Sequence, residues 1–173
     1  FGSSCVSEYA HVLDNAKVFG NALISEDAQI YGDAEVLGNA QVYENAEVLG
    51  HTRLAGNARI CEDAKLHSDE DYFCAQSFGS MGRTTTFFKT KEGWLINCGC
   101  FKGTVEQFRE SVAKTHGDSL IAQEYLMIAD IAELRIKRHQ HRDSQEVYIT
   151  DEELAKFKIK RCESEIPSNE ITD

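Results

Sequence analysis

The side chains able to do chemistry gather in a few short runs. In Ser77-Phe78-Gly79-Ser80-Met81-Gly82-Arg83, small residues leave backbone amides open beside one guanidinium. Such a loop can cradle a phosphate or a carboxylate. Gly79, Ser80 and Arg83, with Thr84 and Thr86 just beyond, form the candidate ligand-binding set. The glycine spacing fits neither a Walker loop nor a dinucleotide fingerprint, and the plainer reading is a connector between two parts of the chain. Cys98 and Cys100 place two thiols on one face of an expected strand, with His116 near in sequence. A zinc site would want a wider cysteine gap and a fourth ligand, so the thiols are read as core filling. No metal or cofactor is expected. His139 and His141 sit in a basic helix end whose charge suits the helix dipole.

Other polar residues are spaced rather than clustered. Glu8, Glu26, Glu44 and Glu62 stand 18 residues apart without exception. Between them the chain repeats every six residues, with hexads beginning at Ala10, Ala16, Ala22, Ala28, Ala34, Ala40, Ala46, Thr52, Ala58 and Ala64, and a degenerate one at Ser4. The third position is always aliphatic, from Val6 and Val12 to Ile60 and Leu66. A helix would smear that spacing around its surface. A strand points its first and third residues the same way, so each hexad is a short strand followed by a corner of Gly, Asn or Asp. Three hexads per turn close a triangular prism with one acidic edge. That edge fits a basic groove on a nucleic-acid-binding protein, or serves solubility and edge protection alone.

The residue after each aliphatic points outward. One side of the prism carries Leu13, Tyr31 and Leu49, and the next carries Phe19 and Leu37. The third, more polar side carries Ser7, Ser25, Tyr43 and Cys61. Two apolar ridges are more than a lone monomer usually exposes. The expectation is that C-terminal helices of the same chain cover one ridge. A second subunit, in a dimer or trimer, covers the other.

On these hexads, residues 4–69 resemble the hexapeptide-repeat, left-handed parallel β-helix family. The handedness comes from that resemblance. So does an activity: many members are trimeric acyltransferases in which a His beside a coil deprotonates the acceptor while acyl-CoA lies between subunits. His51, at a corner otherwise held by Asn or Asp, and His67, where the repeat ends, are the candidates here. No excursion loop interrupts the hexads. The large outward residues depart from the small ones the family favours.

Residues 1–69 are therefore read as a three-sided, single-stranded β-helix and 70–173 as a small α+β module. The module has an expected hairpin over 84–101 with Gly93 in its loop. A capping box of Thr104 and Gln107 opens a helix over 104–116 that Gly117 stops. An amphipathic helix follows over 118–138, with Leu120, Ile121, Tyr125, Ile128, Ile131, Ala132 and Leu134 on its apolar side. Thr150 and Glu153 open a third over 150–162, before a frayed tail. The run "SFGSMGRTTTFF…GWLINCGCFKGTVEQF…THG", within residues 77–128, is similar to a domain of uncharacterised phage and gut-bacterial proteins. That implies a context without an activity.

The chain's 173 residues include 29 acidic and 18 basic side chains, a net charge of −11. Direct nucleic-acid binding is not expected from that balance. No stretch reaches the roughly 18 apolar residues that span a bilayer. No signal-peptide pattern stands out, although the sequence opens without Met. The six cysteines are read as reduced thiols, which places the protein in the cytoplasm, that of the host if phage-encoded. Three functional readings stay open. The first is a non-enzymatic binding or assembly protein, in the phage context an inhibitor of a host defence protein. The second is an acyltransferase. The third is a sponge for a small phosphorylated signalling molecule.

Overall fold

Two-residue strands dominate the first half of the computed structural model, which describes residues 2–140. Strands β1 to β11 are Cys5–Val6, His11–Val12, Lys17–Val18, Leu23–Ile24, Gln29–Ile30, Glu35–Val36, Gln41–Val42, Glu47–Val48, Arg53–Leu54, Arg59–Ile60 and Lys65–Leu66. Each pairs in parallel with the strand one turn later, so Cys5, Leu23, Gln41 and Arg59 lie in one column. Three parallel sheets result, β1-β4-β7-β10, β2-β5-β8-β11 and β3-β6-β9, and they wind as a left-handed solenoid. The lining is the expected one. Ile24, Ile30, Val36, Val42, Val48, Leu54, Ile60 and Leu66 are fully buried with the alanines between them. Each such aliphatic stabilises the prism by about 1.5–3 kcal/mol.

The corners explain the acidic column. Glu8, Glu26, Glu44 and Glu62 have φ of 58° to 60°, a left-handed conformation that costs an L-residue about 1–2 kcal/mol. Another corner uses Gly38, where a Cβ would also stand 3.0 Å from the amide nitrogen of Gly56. Glutamate offsets the strain through its carboxylate. Glu8 Oε2 accepts from the Glu26 amide at 3.0 Å, and Glu44 Oε2 from the Glu62 amide at 2.5 Å. At a neighbouring corner, Asn21, Asn39 and Asn57 form a side-chain amide ladder with steps of 3.2 and 3.1 Å.

Beyond Leu66 the chain builds a lid on the open end of the prism. After a short 3₁₀ turn at Asp69–Asp71, strands β12 (Tyr72–Phe78), β13 (Arg83–Lys89), β14 (Trp94–Cys98) and β15 (Phe101–Gly103) form an antiparallel sheet in that order. The last coil has no following coil to receive its amides, so side chains stand in. The Arg53 amide donates to Asp69 Oδ1 at 2.6 Å, and the Arg59 amide to Thr86 Oγ1 at 3.1 Å. Phe88, two residues along β13, is buried in the prism core. On the other face of the sheet, Phe87 and Ile96 pack with Phe108 and Tyr125 of helices α1 (Val105–His116) and α2 (Leu120–Gln140). Residues through Gln140 form one compact unit.

Several expectations change in detail. The expected hairpin over 84–101 is three strands, because Gly99 (φ 62°) turns the chain between β14 and β15. Strand β12 was not anticipated. The sheet, not the helices, lies against the prism, and besides capping its end it reaches the third side. Asn97 Nδ2 donates to the Tyr43 hydroxyl at 3.0 Å and lies 3.5 Å from Cys61 Sγ. The capping box of α1 forms as read, and the Gly117 amide closes the helix on Ala113. In α2 the buried side is Ala122, Tyr125, Ile128, Ala129 and Ala132, whereas Leu120 and Ile131 are exposed. The helix expected over 150–162, His141 and Cys162 lie outside the described residues.

Of the ridge residues, Leu13 is exposed, and Phe19, Tyr31, Leu37 and Leu49 are half-buried against their neighbours. The first coil is uncovered among the described residues: Val6 is 47% exposed, while Val48 is fully buried. No described helix is long and apolar enough to cross a membrane.

Candidate functional site

Arg59 differs from every other base of the prism. Lys17 pairs with Glu35 at 3.2 Å, Arg53 with Glu35 at 3.6 Å and Lys65 with Glu47 at 3.0 Å. Each of those acids lies one coil away. One coil before Arg59 stands Gln41, and Arg59 forms no ion pair among the described residues. Its guanidinium is half-buried, with Nη1 3.5 Å from the Gly99 carbonyl and Nη2 3.4 Å from the Tyr43 hydroxyl. It lies over the Tyr43 ring at 5.7 Å, and its Nε is buried without a hydrogen-bond partner. Long contacts to neutral acceptors leave a half-buried cation largely uncompensated.

Arg83 approaches the same point from the module. Its side chain forms no hydrogen bond or ion pair among the described residues, and it is exposed. A Cβ at Gly99 would collide with Arg83 Nη1, and Arg59 Nη1 lies at the Gly99 carbonyl, so the two guanidinium groups converge on Gly99. Between prism and module a cavity of about 390 Å³ opens beside them. Asn39, Gln41, Asn57, Gly82 and Thr84 complete its wall, and no carboxylate faces it. A chain with 29 acidic side chains thus presents two guanidiniums without an ion pair among the described residues, three side-chain amides and a hydroxyl at one place. Forked donors of this kind suit phosphate or carboxylate oxygens.

The expected ligand residues fall on both sides of this outcome. Arg83 and Thr84 line the cavity, and the loop's Gly82 does so with them. Thr86 does not. It is fully buried, and its hydroxyl accepts the Arg59 amide. Gly79 and Ser80 anchor the loop: the Gly79 amide donates to Glu124 Oε2 at 3.1 Å, and Ser80 bonds the Tyr125 hydroxyl. Burial and a nearby Cys98 push the Tyr125 phenol up.

A second cavity of about 310 Å³ also has Arg83 in its wall. Cys98 and Cys100 line it with Phe101, Phe108, His116 and Tyr125. Cys98 Sγ takes a hydrogen bond from Thr85 at 3.0 Å. The five described cysteines are free thiols. Burial raises the Cys61 and Cys74 thiols. Among the described residues no three His, Cys, Asp or Glu side chains cluster to hold a metal ion.

The remaining candidates sit apart. His51 is 88% exposed at its corner, 3.7 Å from Asp33. His67 is exposed, with its amide donated to Asp71. Neither lines the cavities beside Arg83. The upper half of the acidic column is already occupied, since Lys102 Nζ reaches Glu44 at 3.1 Å and Glu62 at 2.6 Å. Those bonds, Glu62 foremost, raise the Lys102 pKa.

Arg59 escaped the reading of the sequence, although a signal was there. It is the only prism base with no acid one coil away along its column. Its meeting with Arg83 depends on how β13 and the turn at Gly99 dock, which no local pattern encodes. Comparison with protein-family models, with curated proteins and with solved structures finds no match for this chain.

Proposed function

We propose that this chain is a binding protein for a small phosphorylated molecule, held between Arg59 and Arg83. The observation that carries the reading is the convergence on Gly99 of these two guanidiniums, neither in an ion pair among the described residues, in a wall free of carboxylates. The same wall offers amides, a hydroxyl and guanidiniums, all hydrogen-bond donors toward an anion. A wall of donors supports holding a ligand. Sequestration of a signal is the form a counter-defence role would take for a phage-encoded protein of this kind.

Titration calorimetry with ribose 5-phosphate and pyrophosphate tests this directly. The chain as it stands should bind at least one of them. Arg83→Ala should weaken binding about tenfold or more, the loss of a charge-assisted pair worth roughly 1.5–3 kcal/mol. Absence of binding by every phosphorylated probe at millimolar concentration would sink the proposal.

A second reading, self-assembly or a protein partner, draws on the uncovered first coil and the exposed Tyr9 and Leu13. Light scattering that shows a strict monomer at high concentration would remove the homo-oligomer. The acyl-transfer alternative draws on the solenoid fold alone, and an acyl-CoA turnover screen checks it.

A further inference from the structure

We infer that the molecule bound between Arg59 and Arg83 is a nucleotide, with its phosphate at the two guanidiniums and its base in the adjoining aromatic cavity. This rests on the anion-binding reading above. Arg83 lines both cavities, so a ligand anchored by its phosphate at one enters the other across a single side chain. The two walls differ in kind. The first has no aromatic ring. The second is built from rings in mutual contact: Phe101 and Phe108 at 5.3 Å, Phe108 and Tyr125 edge to face at 5.7 Å, and His116 stacked on Tyr125 at 5.5 Å.

Phe108 and Tyr125 are buried in the core, so Phe101 and His116 are the rings partly open to a ligand, and rings alone would suit any apolar group. The polar members of the wall narrow the choice. Ser111 and Thr115 are one turn apart on α1 and face the same cavity as the His116 imidazole. Two hydroxyls and an imidazole beside stacked rings match a flat heterocycle, which needs face contacts and edge hydrogen bonds together. A saturated chain would offer those hydroxyls no hydrogen bond. Neither cavity has a carboxylate in its wall. Met81, largely exposed on the loop, closes one side of the aromatic cavity, where its flexible thioether can adapt to a base.

The experiment compares adenosine, guanosine, cytidine and uridine monophosphates with ribose 5-phosphate, by calorimetry on the full chain. At least one nucleotide should bind about 30-fold tighter than ribose 5-phosphate, the contribution of one stacked base. Ser111→Phe, which fills the aromatic cavity, should erase that gain and leave ribose 5-phosphate binding unchanged. Met81→Ala, on an exposed loop position that the core does not need, should lose about fivefold for the nucleotide alone. If every nucleotide binds only as well as ribose 5-phosphate, the base assignment is wrong while the anion site stands. If Arg83→Ala leaves nucleotide binding unchanged, both are wrong.

Discussion

Asp71 is a carboxylate with almost no surface, its side chain 4% exposed. Its Oδ2 accepts the His67 amide at 2.8 Å and the Ser68 amide at 3.0 Å. Its Oδ1 lies 2.7 Å from His139 Nε2, and Lys89 stands 3.7 Å away. Burial acts to raise its pKa, but the His67 amide, His139 and Lys89 outweigh it. The carboxyl is held below its ordinary value near 3.8. A depressed carboxyl stabilises the fold above its unfolded value, and that contribution is lost as pH falls through the folded one. The urea midpoint should therefore drop on acidification below about pH 4. Asp71→Asn should lower stability by about 2–4 kcal/mol at neutral pH and flatten that acid limb. An acid limb of unchanged steepness in Asp71→Asn would show that Asp71 does not set it.

At the scale of elements, the prism was legible because each hexad makes its statement locally. Val48 is inward, Leu49 outward and Gly50 a corner wherever the coil sits in the stack. The aligned glutamates were legible for the same reason, since a left-handed corner admits few residue types. The lid was not legible, because its role depends on what it covers. Thr84 and Thr86 look alike in the sequence, yet one lines the cavity and the other replaces a missing coil for the Arg59 amide. Thr86→Val keeps the shape and removes the acceptor. It should cost about 1–3 kcal/mol, the desolvation of one buried N–H, read as a shift in melting temperature. Gly99 joins the lid to the site. Gly99→Ala forces an L-residue to φ 62° and pushes Arg83 aside, so it should lower stability by about 1–2 kcal/mol and weaken ribose 5-phosphate binding as Arg83→Ala does. Intact binding in Gly99→Ala would show that the guanidinium need not sit where it does.

Across the whole molecule, stability should run downhill from the lid to the first coil. Each coil gains its burial from its neighbours, so the ends of a stack are its weak points unless something covers them. The lid supplies Asp69, Thr86 and Phe88 at one end. At the other, Val6 is half exposed and Val12 and Val18 are only partly buried, although their hexads read like every other. The same substitution should then have position-dependent effects. Val48→Ala, deep in the stack, should cost about 2–3 kcal/mol, and Val12→Ala under about 1 kcal/mol, because a side chain still in water loses less burial and leaves no closed cavity. Amide exchange should follow the same gradient, fastest in β1 to β3 and slowest in β9 to β11. The Arg59–Arg83 cavity lies at the protected end, where the lid meets the last coil. Placing the ligand there sets its guanidiniums on the most rigid part of the solenoid, which limits the ordering cost of binding. Equal protection of the first and last coils would mean that something covers the open end in solution, and a concentration-dependent gain in β1 to β3 alone would identify that cover as a second copy of the chain.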